Sequence, residues 1–277
     1  MITGAGGQLG QKLIGAARAL DADVRIFAYN RSTLDITRAE DLRAAFAEAK
    51  PDILLNAAAY TAVDRAESEP ELARAVNVEG VRRLAASCQQ SSIRMVHFST
   101  DYVYDDGYNR PLREGDRTLG TSVYARTKLE GENVVLQHYP EAYIIRTSWV
   151  YAEYGENFLR TMLRLGQERD SLGIVADQVG TPTYAADLAA ATFRLLRSEA
   201  PAGVYNYANS GVASWYDFAH YIFELRGIDC PIRPITTEQY PTPARRPTYS
   251  VLDTRKISAY VGTPRHWREG VRECLGK

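Results

Sequence analysis

The sequence predicts an α/β fold, a doubly wound parallel sheet carrying a smaller C-terminal lobe. Three observations lead there. A glycine-rich turn opens the chain in ITGAGGQLGQKL, short apolar runs alternate with helix-period segments through the first half, and that rhythm loosens after Trp149. Apolar strands without polar alternation belong in a parallel sheet covered on both faces. Strands alternating with helices build βαβ units, and the glycine turn makes the sheet one of Rossmann type.

Taken in order, Met1–Thr3 form a stub of a first strand, so either the start is truncated or the sheet tolerates a short central strand. Gly4, Gly7 and Gly10 follow at a spacing of three, ahead of the helix QKLIGAARAL. Glycines there let backbone approach a pyrophosphate at the helix N-terminus; they serve equally for tight packing of helix on strand. IFAY is the second strand, ending in Ala28, Tyr29, Asn30 and Arg31. Many NAD-binding sheets place a ribose-binding acid at this end. Arg31 instead suits a 2′-phosphate, or is a solvated loop residue. In LDIT, Asp35 and Ile36 offer a carboxylate and an apolar wall to an adenine edge, or Asp35 caps the next helix, EDLRAAFAEAK. DILLNAAAY reads as a strand ending in Ala57, Ala58 and Ala59, small enough for close approach of a cofactor or a packed helix.

ELARAVNVEGVRRLAASCQQ reads as one helix, IRMVHFST as a buried strand and YARTKLEGENVVLQ as a helix leading into AYIIRTSWVY. Residues 1–148 are therefore assigned to a dinucleotide-binding domain and 149–277 mainly to a substrate-binding lobe. In the latter, the helix candidates FLRTMLRLGQER, AADLAAATFRLLRSE and YDFAHYIFELRG are separated by DQVGTPT, VYNYANSG and YPTPARRPTYS, with segments near 180–210 expected to return to the main sheet. There is no internal repeat or low-complexity linker.

The 277 residues, 45% hydrophobic with a formal net charge of -1, suffice for a substantial core in one large or two closely joined domains. Basic residues are scattered, which argues against nucleic acid or an anionic membrane as partner. The three cysteines, Cys88, Cys230 and Cys274, lack CxxC spacing and point to reduced thiols rather than disulfides or zinc. No apolar run reaches membrane-spanning length, and the glycine-rich start does not read as a secretory signal. A cytoplasmic protein is expected.

Tyr124 and Lys128 stand four apart in the YARTK segment, which places a phenol and an ammonium on one helical face. A cation near the phenol would stabilise phenolate and bring a group that titrates near 10 in isolation toward neutrality. Such a pair suits giving a proton to an alkoxide while a hydride arrives from elsewhere. The spacing is also common in ordinary amphipathic helices.

TGAGGQLG, LDIT, NAAAYTAVDRAE, STDYVY, YARTK, RTSWVY and DQVGTPT occur in the order found in extended short-chain dehydrogenase/reductases, and the last four with PARRP resemble the dTDP-4-dehydrorhamnose reductase family. The resemblance runs from Gly4 to about Trp267. It implies hydride transfer from a reduced nicotinamide to the C4 ketone of dTDP-4-dehydro-6-deoxy-L-mannose, and the acid-free strand end with Arg31 adds the expectation of NADPH, with NADH also accepted. Tyr124 would protonate the C4 alkoxide, Lys128 would stabilise the phenolate and bind the nicotinamide ribose, and Thr100 would hydrogen-bond the carbonyl oxygen, each acting on charge that builds on oxygen. Without that role Thr100 merely ends a strand and Lys128 pairs with Glu132. The resemblance further implies cofactor contacts at Gln8, Leu9, Tyr60 and Ser99, beside the glycines, Arg31, Asp35, Ile36 and the three alanines. It implies substrate contacts at Thr61, Val63, Asp101 and Tyr102, an aromatic sugar wall at Trp149, and thymine or diphosphate contacts at Asn157, Gln178, Thr183, Arg245 and Arg246.

Ala125 and Arg126 depart from the glycine and acid more usual in the family. Some members use magnesium at a dimer interface. Lys12 stands here where an acid would help to bind it, so no metal is expected, and the motifs are compatible with a monomer or a homodimer. A nucleotide-sugar 4,6-dehydratase would carry Asp-Glu after the threonine, whereas Asp101 is followed by Tyr102. The same motifs would also serve a ketoreductase making the C4 epimer, dTDP-6-deoxy-L-talose, or a non-catalytic regulatory subunit that binds the nucleotide.

Overall fold

The structure, a computed structural model, describes residues 1–20, 23–105 and 107–277. The strands are β1 (Ile2–Thr3), β2 (Ala28–Tyr29), β3 (Ile53–Asn56), β4 (Arg94–Thr100), β5 (Tyr143–Thr147), β6 (Val150–Tyr151), β7 (Leu172–Val175), β8 (Val179–Gly180), β9 (Thr183–Tyr184), β10 (Gly203–Asn206), β11 (Ala213–Ser214) and β12 (Ile232–Ile235). The helices are α1 (Gln8–Leu20), α2 (Ala39–Ala49), α3 (Val63–Ala66), α4 (Pro70–Arg74), α5 (Val81–Gln90), α6 (Val123–His138), α7 (Phe158–Glu168), α8 (Ala185–Arg197), α9 (Trp215–Arg226), α10 (Arg255–Val261) and α11 (Trp267–Cys274).

Six strands form one sheet in the order β10-β5-β4-β3-β1-β2, every neighbouring pair parallel. The chain leaves β1 to one side for β2 and returns to the other side for β3. The crevice at the carboxyl ends of β1 and β3 is therefore the topological switch point, where sheets of this kind bind ligands. Both faces are covered. Leu54, Leu84, Met95 and Ile144 lie in the core on one face, and Ile2, Leu13, Val96 and Ile145 in that on the other. Full burial of each such side chain contributes about 1.5–3 kcal/mol, so the strands need no polar face.

Gly203–Asn206, within the separator VYNYANSG and the 180–210 stretch expected to return to the main sheet, pairs along β5 as the edge of that sheet. The structure departs from the sequence expectation at one element. The long helix expected at 71–90 is interrupted: a π-helical stretch, Ala75–Gly80, joins α4 to α5. Side-chain bonds from Asn77, described below, accompany that irregularity.

Residues from 149 onward also build a second core, in which Tyr151, Phe218, Ile222 and Trp267 are buried. Its strands pair only in twos, β6 with β9, β7 with β12 and β8 with β11. Helix α9 is closed at both ends, by a Ser214–Asp217 capping box and by Gly227 at φ 60°.

Candidate active site

The glycine turn occupies one wall of the switch-point crevice. Gly4 adopts φ 69°, and a Cβ there would lie 2.4 Å from the Ala57 carbonyl oxygen. A Cβ on Gly10 would lie 2.3 Å from Gly4 O, so these glycines bring α1 and the β3 end into backbone contact. Gly7 is exposed at the crevice. No acid stands in the first turn of α1, whose leading N–H groups at Gln8, Leu9 and Gly10 have no partner within the helix. This cradle fits a pyrophosphate, and half-buried Ala57, Ala58 and Ala59 leave room along the opposite wall.

At the end of β2, Asn30 Oδ1 accepts the Ser32 N–H (2.9 Å), the Ser32 hydroxyl (2.7 Å) and the Thr33 N–H (3.2 Å). That turn fixes the backbone around exposed Arg31. The small polar residues of NRST are the signal for it, and Ser32 and Thr33 join the candidate residues on that ground. Asp35 Oδ1 accepts the Thr37 N–H at 2.9 Å and the Thr37 hydroxyl at 2.7 Å. Burial would raise its pKa, but these bonds, with the Arg31 and Arg38 charges, carry it below the usual carboxylate value. Asp35 thus makes a turn ahead of α2 and does not cap it; the cap position belongs to Arg38, without a side-chain bond. Ile36 is buried, 5% exposed, in the core on the Leu54 face of the sheet.

Tyr124 sits in the first turn of α6, whose N-cap Ser122 accepts the Ala125 N–H at 3.2 Å. Glu67 additionally receives the Val123 N–H at 2.8 Å. The Tyr124 hydroxyl lies close enough to the Thr100 side chain at the end of β4 to feel it, and its ring meets Tyr102 edge-on, centroids 5.8 Å apart. Burial pushes the Tyr124 pKa up to about 12, against the Thr100 side chain and with the Asp101 charge. The expected lysine-lowered phenol is not what the structure holds. Lys128 Nζ donates to the Phe98 carbonyl at 2.7 Å, and burial pulls its pKa down to about 8 against the pull of Glu132. Tyr124 is accordingly a neutral acid. Glu132 is not the partner of Lys128 either, because buried Arg146 takes its carboxylate through Nη2 at 2.7 Å and Nε at 3.0 Å. Asp101, 2% exposed, accepts from the Thr100 hydroxyl at 3.0 Å, and burial pushes its pKa up to about 7 despite Ser250 and Thr100. Ser99 is buried immediately before them, and half-buried Tyr102 follows.

Asn77, in the π-helical stretch, is a site residue that sequence reasoning misses. Its Oδ1 accepts the Tyr60 N–H at 2.9 Å, while its Nδ2 donates to Tyr60 O at 3.2 Å and to Thr127 Oγ1 at 3.1 Å. It thereby clamps the end of β3 against the helix that carries Tyr124 and Lys128. The available signal is an asparagine between two valines inside AVNVEG. Beneath it, Thr3 donates to Asn56 Oδ1 at 2.7 Å and Asn56 Nδ2 meets His97 Nδ1 at 2.9 Å. Burial, then the Lys128 charge, holds His97 well below its ordinary pKa and therefore neutral.

Trp149 lies at φ 46°, stacked on Trp215 with centroids 3.5 Å apart and planes 7° from parallel. A Cβ on Gly180 would come within 2.7 Å of the Trp149 indole. The left-handed backbone is thus accompanied by close packing of the ring against Trp215 and Gly180. Gln178, Thr183 and Asn157 each make internal hydrogen bonds. Gln178 accepts from Trp215 Nε1 at 3.0 Å and donates to Thr237 at 3.1 Å, and buried Thr183 gives its N–H to Trp149 O at 3.1 Å. Both hold the Trp149–Trp215 stack. Asn157 caps α7 through Arg160 N (2.9 Å) and donates to Gln8 Oε1 (2.8 Å), joining the glycine turn to the second lobe. Half-buried Leu9 packs against the core. Thr61 is exposed and Val63 half-buried at the start of α3, while Arg245 is exposed and Arg246 pairs with Asp64.

A glycine cradle at the switch point, with a buried lysine and a neutral tyrosine at the neighbouring strand end, defines an extended short-chain dehydrogenase/reductase. The model of the RmlD substrate binding domain matches residues 1–277. A dTDP-4-dehydrorhamnose reductase of Sinorhizobium fredii is 42% identical over 285 residues, spanning 99% of this chain and 95% of its own. The crystal structure of a dTDP-4-dehydrorhamnose reductase from Clostridium acetobutylicum superposes with TM-score 0.94 at 40% identity, over 99% of this chain and 97% of that one. The Bacillus anthracis reductase in complex with NADP gives TM-score 0.93 at 35% identity, with the same coverage of 99% and 97%. The chain belongs to the RmlD substrate binding domain family.

Proposed function

We propose that this protein reduces the C4 ketone of dTDP-4-dehydro-6-deoxy-L-mannose to give dTDP-L-rhamnose, using NADPH and accepting NADH. The observation that carries the reading is Tyr124 held as a neutral acid against Thr100 beside the glycine cradle. Gly4, Gly7, Gln8, Leu9 and Gly10 would hold the pyrophosphate, Arg31 a 2′-phosphate, and Lys128 the nicotinamide ribose. When bound, the reduced nicotinamide supplies the hydride for C4. Tyr124 gives its proton to the oxygen as charge develops there, and Thr100 orients that oxygen by hydrogen bonding. Trp149 walls the sugar, with Asp101 and Tyr102 at its hydroxyls. The ketone's fate depends on an acid that is protonated at neutral pH, and a phenol raised to about 12 meets that need. The setting is proposed to be cytoplasmic, the assembly a monomer or homodimer; among the described residues no helix is long and apolar enough to cross a membrane.

The test is incubation of the protein with the 4-keto sugar nucleotide and NADPH, with NMR of the product. L-rhamnose configuration at C4 is expected. A 6-deoxy-L-talose product, or no oxidation of NADPH, would overturn the assignment. Tyr124→Phe should lower turnover roughly 10²- to 10⁴-fold with little change in cofactor affinity; near-normal turnover would remove Tyr124 from the chemistry.

A further inference from the structure

Asp64 and Arg246 lie 182 positions apart and meet beside the crevice. Asp64 Oδ1 accepts Arg246 Nη1 at 3.0 Å and the Ala244 N–H at 3.2 Å, and Oδ2 accepts Arg246 Nη2 at 2.7 Å. The guanidinium also bonds the Thr242 hydroxyl and, at 3.1 Å, the Ala244 carbonyl. One carboxylate and one guanidinium therefore fix the backbone from 242 to 246, and Ala244 at its middle is 1% exposed. Tyr102, which buttresses Tyr124, feels both charges at its hydroxyl. With side chains 21% and 38% exposed, the pair is neither free in solvent nor fully buried. Coulomb attraction and desolvation then largely offset each other. What the bidentate geometry supplies is direction, since a guanidinium fork held by one carboxylate has few orientations left.

We infer that Asp64 is a positioning residue for the nucleotide-sugar: it presets Arg246 and the 242–246 loop so that the substrate diphosphate meets a fixed cation. The inference rests on the proposed function. A carboxylate repels a diphosphate, so Asp64 acts through Arg246 and not as a ligand. Presetting removes an ordering cost from the binding step. Its loss therefore falls on substrate affinity, while proton transfer from Tyr124 and the glycine cradle are untouched.

The experiment measures kcat and KM for the keto sugar nucleotide, KM for NADPH, and dTDP affinity by calorimetry, in wild type, Asp64→Asn, Arg246→Ala and the double variant. Asp64→Asn should raise sugar-nucleotide KM and dTDP Kd by roughly 10-fold or more, with kcat and NADPH KM nearly unchanged. Arg246→Ala should do the same, and the double variant should be no worse than Arg246→Ala, because coupled residues are not additive. Unchanged dTDP affinity in Asp64→Asn, additive effects, or parallel losses for dTDP and NADPH would each overturn the inference. Wild type that binds dTDP without reducing the keto sugar counts against the proposed reaction alone; wild type that does not bind dTDP counts against both.

Discussion

Tyr124, Lys128 and Thr100 are legible in the sequence because a fixed four-residue spacing and a strand end place them without knowledge of the rest of the chain. Their electrostatics are not. Which partner Lys128 takes depends on Phe98, thirty residues earlier and on another element. Asp101 shows the same limit: its side chain is enclosed by residues far away in sequence, Ser250 among them. Its folded pKa of about 7 lies above the value for an unfolded aspartate. Below about pH 4 the residue is neutral in both states and costs nothing. As pH rises from there through 7 the unfolded chain ionises first, and stability falls by up to about 4 kcal/mol. Asp101→Asn should therefore gain stability over wild type at pH 8 and match it near pH 4, as urea unfolding at the two pH values would read. An equal difference at both would show that the carboxyl is not held neutral. At the same scale, Arg31 is the residue proposed to read the cofactor's 2′-phosphate. Its exposed cation, on a turn fixed by Asn30, should favour NADPH modestly, because such contacts are screened. Arg31→Ala should raise KM for NADPH and leave that for NADH nearly unchanged; an equal effect on both would exclude a phosphate-reading role.

Elements with clear apolar periods and caps can be read from sequence with their types intact, whereas the irregular stretch at Ala75–Gly80 cannot. The sequence there, AVNVEG, mixes Ala and Glu with the weak helix formers Val, Asn and Gly, and nothing in it singles out a π-helical turn. It is held out of regular α-helix in the company of Asn77 bonds to Tyr60 and Thr127, which only tertiary proximity supplies. Helix α6 accommodates it through Gly131, where a Cβ would fall 2.3 Å from Asn77 O. A methyl group cannot fit there without moving one helix. Gly131→Ala should destabilise the protein by roughly 1–3 kcal/mol, as overpacking does, and also weaken NADPH binding by shifting the Tyr60 clamp. Gly15 in α1 is the contrast, since a Cβ there meets nothing within 4 Å. Gly15→Ala should stabilise by about 0.5–1 kcal/mol through lost backbone entropy alone. Thermal unfolding of the two variants checks both signs, and a common direction would refute the packing argument. The internal bonds of the loop residues Asn157 and Gln178, a helix cap and an indole N–H, belong to this scale as well, and the second has no local sequence signal.

Across the molecule, the parts are tied by contacts between residues that sequence spacing cannot bring together. Lys12 of α1 reaches Glu153 at 2.8 Å and Tyr184 at 3.1 Å, and Asn157 holds Gln8. In the sequence that lysine is only a missing metal ligand; its place in an ion pair between α1 and the β6–α7 connection needs the fold. The sheet and its switch point are legible because βα alternation and a glycine turn are local signals. What that architecture leaves undecided is the reaction, since one fold hosts many chemistries and only the site selects among them. Reduction needs one proton for an oxygen. Dehydration needs an acid and a base working across C5 and C6, and in nucleotide-sugar dehydratases the residue after the Thr-Asp pair is a glutamate. Here that residue is Tyr102, whose ring is locked edge-on to Tyr124 and whose hydroxyl is pushed by burial, then by the Asp101 charge, above its ordinary pKa. A phenol so raised can neither take a proton as a base near neutrality nor swing away without leaving Tyr124 unsupported. Supplied with dTDP-glucose and NAD, the protein should therefore form no 4-keto-6-deoxy product over hours at neutral pH, while the same preparation reduces the keto sugar with NADPH. Accumulation of the dehydrated sugar, followed by its ultraviolet absorbance in alkali or by NMR, would show that an acid/base pair other than the one at 101 and 102 serves this crevice.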